Sequence, residues 1–150
     1  MEGNSKARQY AYRVLKIRPR SIFELREKLK SKGFGPEVIE ATLTDLIQKK
    51  LLDDRAFTAS WIQYRLARPF GFRRICLELR DKGIAEDLIA AGMDAAKKEF
   101  SEEQTVAELA HRRAGKLGAL EPLKRKKRIF DYLIRRGFPV DVVIRAVKIL

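Results

Sequence analysis

The chain holds one cysteine, one histidine and one tryptophan in 150 residues. Cys76 alone forms no internal disulfide, which fits a reducing cytoplasm. It stands in a helical stretch before Leu77 and Leu79, with no histidine near it in sequence, and reads as a partly buried structural thiol. His111, in "ELAHRRAG", is flanked by Arg112 and Arg113 and reads as a solvated helix residue, because one histidine makes no metal site. The strand–GxxxxGK–helix pattern that cradles nucleotide phosphates is missing. Asp53 and Asp54 precede "RAF" without further ligands nearby, so they read as an N-cap and not as a cation site. Nothing here assembles an enzyme, and no cofactor is expected. Apolar runs approaching the roughly 18 residues of a membrane span are also missing. The opening "MEGNSKARQYAYRVL" lacks the apolar segment and cleavage site of a secretion signal. The expected location is cytoplasmic, away from membranes. The apolar–polar alternation of a half-buried strand is absent throughout.

What the chain does have is positive charge and a 45% hydrophobic content. Lysine and arginine number 33 against 20 acidic residues, a formal net of +13. Such a chain repels itself unless it meets polyanions, and nucleic acid is the usual one. The excess is uneven: +6 over residues 1–52 (12 basic, 6 acidic), +1 over 53–100 (9 and 8) and +6 over 101–150 (12 and 6). Basic ends suit phosphate, and a nearly neutral middle suits protein.

Three stretches share one pattern: "KLKSKGF" at 28–34, "ELRDKGI" at 78–84 and "YLIRRGF" at 132–138. Aligning Gly33, Gly83 and Gly137 exposes a repeat. Leu29, Leu79 and Leu133 stand four residues before; Leu25, Ile75 and Ile129 stand eight before. Phe34, Ile84 and Phe138 follow at once; Ile39, Ile89 and Val143, then Leu43, Met93 and Val147, follow at six and ten. A glycine at C′ in the left-handed region, with the next residue packed back on C3, ends a helix. The cation before each glycine (Lys32, Lys82, Arg136) suits the negative end of the helix dipole. These motifs are helix stops and shape the fold.

"SIFE" at 21–24 is a capping box that opens a helix reaching about residue 32. "GPEV" puts proline at N1 of the next helix, whose Val38, Ile39, Leu43, Leu46 and Ile47 share a face. Glu86 and Asp87, and then Pro139 and Asp141, start its counterparts, and leading helices are expected near 5–17, 53–67 and 102–117. The expected fold is all-α: three tandem three-helix repeats, 1–52, 53–100 and 101–150, with about nine helices and no sheet. Units this small are marginal alone, so stacking into an elongated, curved array is expected. A monomer is the expected state.

Phe57, Trp61 and Tyr64 recur on one helix face and read as core. Phe70 and Phe72 flank Gly71 beside Arg68, Arg73 and Arg74, and read as packing under the loop, with base stacking or partner anchoring as the alternative. The functional signal lies in the basic clusters. Lys124, Arg125, Lys126, Lys127 and Arg128 form an unbroken run, joined in the last unit by Arg112, Arg113, Lys116, Arg135 and Arg136. That run falls near a helix start, where cations are unfavourable, an arrangement that an anion would relieve. Arg18 and Arg20, with Lys16, make a smaller patch at the matching place in the first unit. Basic residues thus recur at the first interhelix connection of every unit, as a track for phosphate.

Residues 51–84, "LLDDRAFTASWIQYRLARPFGFRRICLELRDKGI", closely resemble the signature region of the RecX family, bacterial regulators of the recombinase RecA. The matching residues are Leu52-Asp53-Asp54 with Phe57, then Arg65, Gly71, Ile75, Glu78-Leu79 and Lys82-Gly83-Ile84. "RSIFELREKL" at 20–29 resembles the family's first-unit motif in Arg20, Ser21, Glu24, Leu25, Lys28 and Leu29. The third unit is matched through its helix pattern, and Pro69-Phe70 departs from the family's loop. The resemblance implies tandem three-helix repeats and a non-enzymatic protein. It implies binding to filaments of RecA on single-stranded DNA, and inhibition of strand exchange and ATP hydrolysis. DNA or filament contacts are then expected from Arg18, Arg20, Arg65, Arg68, Arg73, Arg74, Arg112, Arg113 and residues 124–128. The alternative is a stand-alone DNA-binding protein, on single strands or duplex. No helix start gathers the Arg, Asn and Gln of a base-reading surface, which argues against sequence-specific readout.

Overall fold

All three glycine stops terminate helices. Gly33, Gly83 and Gly137 take φ of 87°, 73° and 88°, the left-handed region that glycine enters at least cost. The residue after each returns its N–H to the carbonyl five residues back. Phe34 bonds to Leu29 at 3.3 Å, Ile84 to Leu79 at 3.1 Å and Phe138 to Leu133 at 3.3 Å. This is the Schellman arrangement. At the other end of the first such helix the capping box is complete, with Ser21 Oγ accepting from the Glu24 N–H and Glu24 Oε1 from the Ser21 N–H, both at 3.1 Å.

The structure, a computed structural model, describes residues 2–150. Among the described residues it has nine helices and no strand: α1 Glu2–Ile17, α2 Ile22–Ser31, α3 Pro36–Gln48, α4 Asp54–Leu66, α5 Phe72–Asp81, α6 Glu86–Glu99, α7 Glu102–Lys116, α8 Pro122–Arg135 and α9 Val140–Lys148. Each tandem group of three is the expected all-α repeat. Pro36 holds N1 of α3, and Pro139 is the N-cap of α9, not its first turn. Asp53 caps α4, its Oδ1 accepting from the Arg55 and Ala56 N–H groups at 2.9 and 3.1 Å.

The chain divides into two compact units. One runs to Trp61 and adds Leu79–Ile89; the other is Ile62–Glu78 with Ala90–Leu150. In the first, α1, α2 and α3 pack mutually around Ala7, Ala11, Val14, Leu25, Leu29, Ile39, Leu43, Leu46 and Leu52. In the second, α7, α8 and α9 do the same around Val106, Leu109, Ala110, Ile129, Leu133, Phe138, Val143, Ala146 and Val147. The positions four and eight before each glycine, and six and ten after it, are buried in all three copies. Burial falls off at the edge of the expected faces. Ile47 is exposed because it lies two turns beyond Ile39, rotated off the core-facing stripe. Tyr64, expected in the core with Phe57 and Trp61, is exposed, while Phe57 is buried and stacks on Trp61 at 6.1 Å.

Both units contain the same junction. In the first, the buried Ser21 hydroxyl donates to the Lys82 carbonyl at 2.6 Å, and Asp54 Oδ1 accepts the Ile22 N–H at 2.9 Å. A Cβ on Gly83 would overlap Phe23. In the second, the Gly71 N–H donates to the Arg136 carbonyl at 2.8 Å, and Glu102 Oε2 accepts the Phe72 N–H at 3.3 Å. A Cβ on Gly71 would overlap the Gly137 carbonyl. The start of one repeat's second helix thus sits on the glycine stop of the next repeat. The first residue of the next leading helix, Asp54 or Glu102, supplies the missing acceptor for an orphan N–H. Burial raises both carboxyls above their ordinary pKa, against the lowering effect of the N–H they accept.

Candidate nucleic-acid interface

Arginines and aromatics interleave in the second unit. The α4–α5 connection carries Arg68, Pro69 and Phe70, α7 carries Arg112, Arg113 and Lys116, and the end of α8 carries Tyr132 and Arg136. The i, i+4 spacing of Arg112 with Lys116, and of Tyr132 with Arg136, puts each pair on one helix face. Arg136 Nη1 donates to the carbonyls of Arg68 at 2.5 Å and Pro69 at 3.3 Å, which ties the connection to α8. Arg74 Nη1 donates to the Arg135 carbonyl at 3.0 Å. Three guanidinium carbons lie over the Phe70 ring, those of Arg65 at 3.8 Å, Arg136 at 4.5 Å and Arg74 at 4.7 Å from its centre. Tyr132 carries Arg113 at 4.2 Å and Arg136 at 5.1 Å, and Tyr64 carries Arg68 at 4.3 Å. Phe70 is half-buried and occupied by the protein's own cations; Phe72 is buried against Phe100.

Beside this stack lies a cavity of about 220 Å³ lined by Arg68, Arg112, Arg113, Lys116, Arg136 and Tyr132. No carboxylate lines it. The Arg113 Nε is buried without a hydrogen-bond partner. Guanidiniums whose flat faces rest on aromatics keep their N–H edges for an acceptor, and a phosphate matches that fork.

The other sequence-predicted residues are placed differently. Arg65 pairs with Glu78, and Arg74 reaches the same carboxylate at 3.4 Å. Arg73 is exposed on α5. In the first unit Arg18 is held by Glu24 at 2.5 Å, and Lys82 approaches that carboxylate at 3.4 Å. Burial pushes the Glu24 carboxyl up, but the Arg18 hydrogen bond, the Ser21 N–H and the Lys82 and Arg18 charges outweigh it and lower its pKa to about 2. Lys82 also stands 4.3 Å over the Trp61 ring. Arg20 is half-buried, with its Nε unpartnered.

Residues 124–128 lie in the opening turns of α8. At about 100° per residue the five cations wrap past a full turn of the helix. They therefore do not form one patch: Lys124, Lys127 and Arg128 are exposed, while Arg125 and Lys126 are half-buried. Counting twelve back from the glycines gives Ser21, Gly71 and Arg125, so α8 begins one turn earlier than its counterparts. Sequence reasoning found Arg68, Arg112 and Arg113 but missed Tyr132 as the ring that gathers two of the guanidiniums. Its i, i+4 relation to Arg136 was the available signal.

Three family models match in chain order: the first three-helix domain of RecX over residues 7–46, the second over 53–93 and the third over 101–147. Regulatory protein RecX of Amycolatopsis mediterranei is 32% identical over 149 residues, covering 98% of this chain and 84% of that one. The protein of the same name from Chlorobium limicola is 34% identical over 142 residues, covering 94% and 87%. The crystal structure of RecX from Lactobacillus salivarius superposes with a TM-score of 0.81 at 20% identity, covering 99% of this chain and 97% of that one, a likeness of fold.

Proposed function

The chain belongs to the RecX family of regulatory proteins, and from that premise we propose that it regulates RecA by binding RecA–single-stranded-DNA filaments. Binding suppresses strand exchange and the filament's ATP hydrolysis. The observation that carries the DNA half of this reading is the carboxylate-free cavity between Arg68, Arg112, Arg113, Lys116 and Arg136. Its chemistry selects phosphate, while the neighbouring rings of Phe70 and Tyr132 are already covered by arginines. DNA is therefore held by its backbone, independently of sequence, as a regulator of a filament on arbitrary DNA requires. The exposed Lys124, Lys127 and Arg128, with Arg73, extend the same phosphate contact. Regulation follows if the protein binds one filament state better than another, since a ligand shifts an equilibrium only through differential affinity.

The test is ATP hydrolysis by RecA on excess single-stranded DNA, titrated with this protein below one copy per RecA. Strong inhibition at those ratios is the expected result, through recognition of the filament. No inhibition, together with tight and steeply salt-dependent binding to bare DNA, would transfer the reading to a stand-alone DNA-binding protein.

A further inference from the structure

One concavity of the first unit is not basic throughout. It is a groove of about 720 Å³ whose floor is Tyr12, Leu15 and Phe57, with Leu51 at its edge. Tyr12 and Leu51 are 37% and 50% exposed, apolar surface that the fold leaves open. Three cations rim it: Lys16, Arg20 and Lys50. The one carboxylate present, Asp53, is spent on the N–H groups of Arg55 and Ala56. Apolar floor and cationic rim together differ from the carboxylate-free arginine cavity, whose walls offer mainly N–H donors.

Two further observations point to an anionic occupant. The Arg20 Nε is buried without a partner where its side chain lines the groove. Burial, and then the nearby Arg18 charge, lowers its pKa, and the opposing pull of Glu24 and Tyr10 does not make this good. Lys50 has φ of 58°, and among the described residues it is the one non-glycine in the left-handed region. It closes α3 in the same manner as the glycine stops, the Leu51 N–H returning to the Leu46 carbonyl at 2.9 Å. Glycine is the low-cost residue there. A lysine in that place carries backbone strain and sets an ammonium on the groove's rim, and strain of this kind gathers at functional sites.

We propose that this groove docks an acidic segment of a partner protein, with an aromatic or aliphatic side chain of that segment seated on Tyr12, Leu15 and Phe57. The inference rests on the reading of the chain as a regulator of another protein, and it assigns that contact to a definite surface. Three cations around an apolar floor match carboxylates flanking an apolar anchor.

The probe is a short peptide of Asp and Glu with one central Phe, titrated into the full-length, isotope-labelled protein while backbone amide shifts are followed. Saturable shifts confined to residues 12–20 and 50–60 are expected. The same peptide without its Phe should bind about tenfold more weakly, the contribution of one buried aromatic. Lys50→Gly supplies a readout of opposite sign: the thermal midpoint rises as the strain is released, while peptide affinity falls about threefold, the effect of one exposed ion pair. Equal binding of the Phe-less peptide, displacement by an oligothymidine, absence of saturable shifts or unchanged affinity of Lys50→Gly would each overturn the proposal. Groove binding with no effect of the protein on RecA filaments would defeat the RecA reading alone.

Discussion

At the scale of single residues, two glycines with different duties separate conformation from crowding. Gly33 has a positive φ, but a Cβ there would meet nothing within 4 Å. Gly33→Ala should cost about 1 kcal/mol, the conformational penalty alone. At Gly71 a Cβ would run into the backbone of Gly137, which no rotamer change relieves. Gly71→Ala should cost about 2 kcal/mol or more in urea unfolding, and a difference below the Gly33 value would show that the junction yields. Glu24 gives the pH dependence. Its folded pKa of about 2 lies below the ordinary 4.5, so its stabilisation is complete above 4.5 and disappears as pH falls towards 2. Discounted for solvent screening, it amounts to about 1 to 2 kcal/mol. The stability gap between wild type and Glu24→Gln should therefore be full at neutral pH and close between 4.5 and 2. A gap constant across that window would mean that Glu24 acts through shape alone. Local chemistry of this kind was legible in the sequence: glycine stops, capping box and N-cap depend on neighbours within a turn or so. Asp54 and Glu102 were not. An acid at a helix start reads as that helix's own complement to the dipole, and nothing local shows that it accepts an N–H from Ile22 or Phe72, some thirty residues upstream.

At the scale of elements, α7 and α8 decide which cations are available to phosphate. A run such as 124–128 looks in sequence like one patch, yet a helix distributes it around its axis. Arg112 and Lys116, not contiguous, share a face and line one cavity. Replacing both with alanine should lower the slope of log affinity against log salt for single-stranded DNA by about 1.4, at about 0.7 per phosphate contact. Fluorescence anisotropy at several salt concentrations measures this. An unchanged slope would take the cavity out of the interface. The sequence could name the arginines but not their partners. Arg74 meets Glu78 one turn along α5, a local i, i+4 pair, but Arg18 and Arg65 reach Glu24 and Glu78 across a connection, and such pairings depend on how α2, α4 and α5 are placed. Phe70 shows the same limit, since only the fold reveals the guanidiniums that cover it.

At the scale of the whole molecule, the repeat seen in sequence and the compact units seen in space do not coincide. Helices α4, α5 and α6 are each divided between the two units; α5 gives its residues up to Glu78 to one and those from Leu79 to the other. A helix ten residues long is too short to persist once part of its packing is lost. Thermal unfolding should therefore be a single transition with equal calorimetric and van't Hoff enthalpies. Two resolved transitions would show that the units melt separately.

The junctions also give the chain a direction in time. The Ser21 hydroxyl and the Ile22 N–H find their acceptors at Lys82 and Asp54, and the Gly71 and Phe72 N–H groups find theirs at Arg136 and Glu102. A polypeptide leaving the ribosome thus carries each second helix with its first turn unfinished until the following repeat has been translated. In the third repeat the matching position is met within the helix, because α8 starts a turn early at Pro122 and the Arg125 N–H finds the Glu121 carbonyl at 2.9 Å. Synthesis runs forward while completion waits on what comes next, so each of the first two repeats is finished only one repeat after it is made.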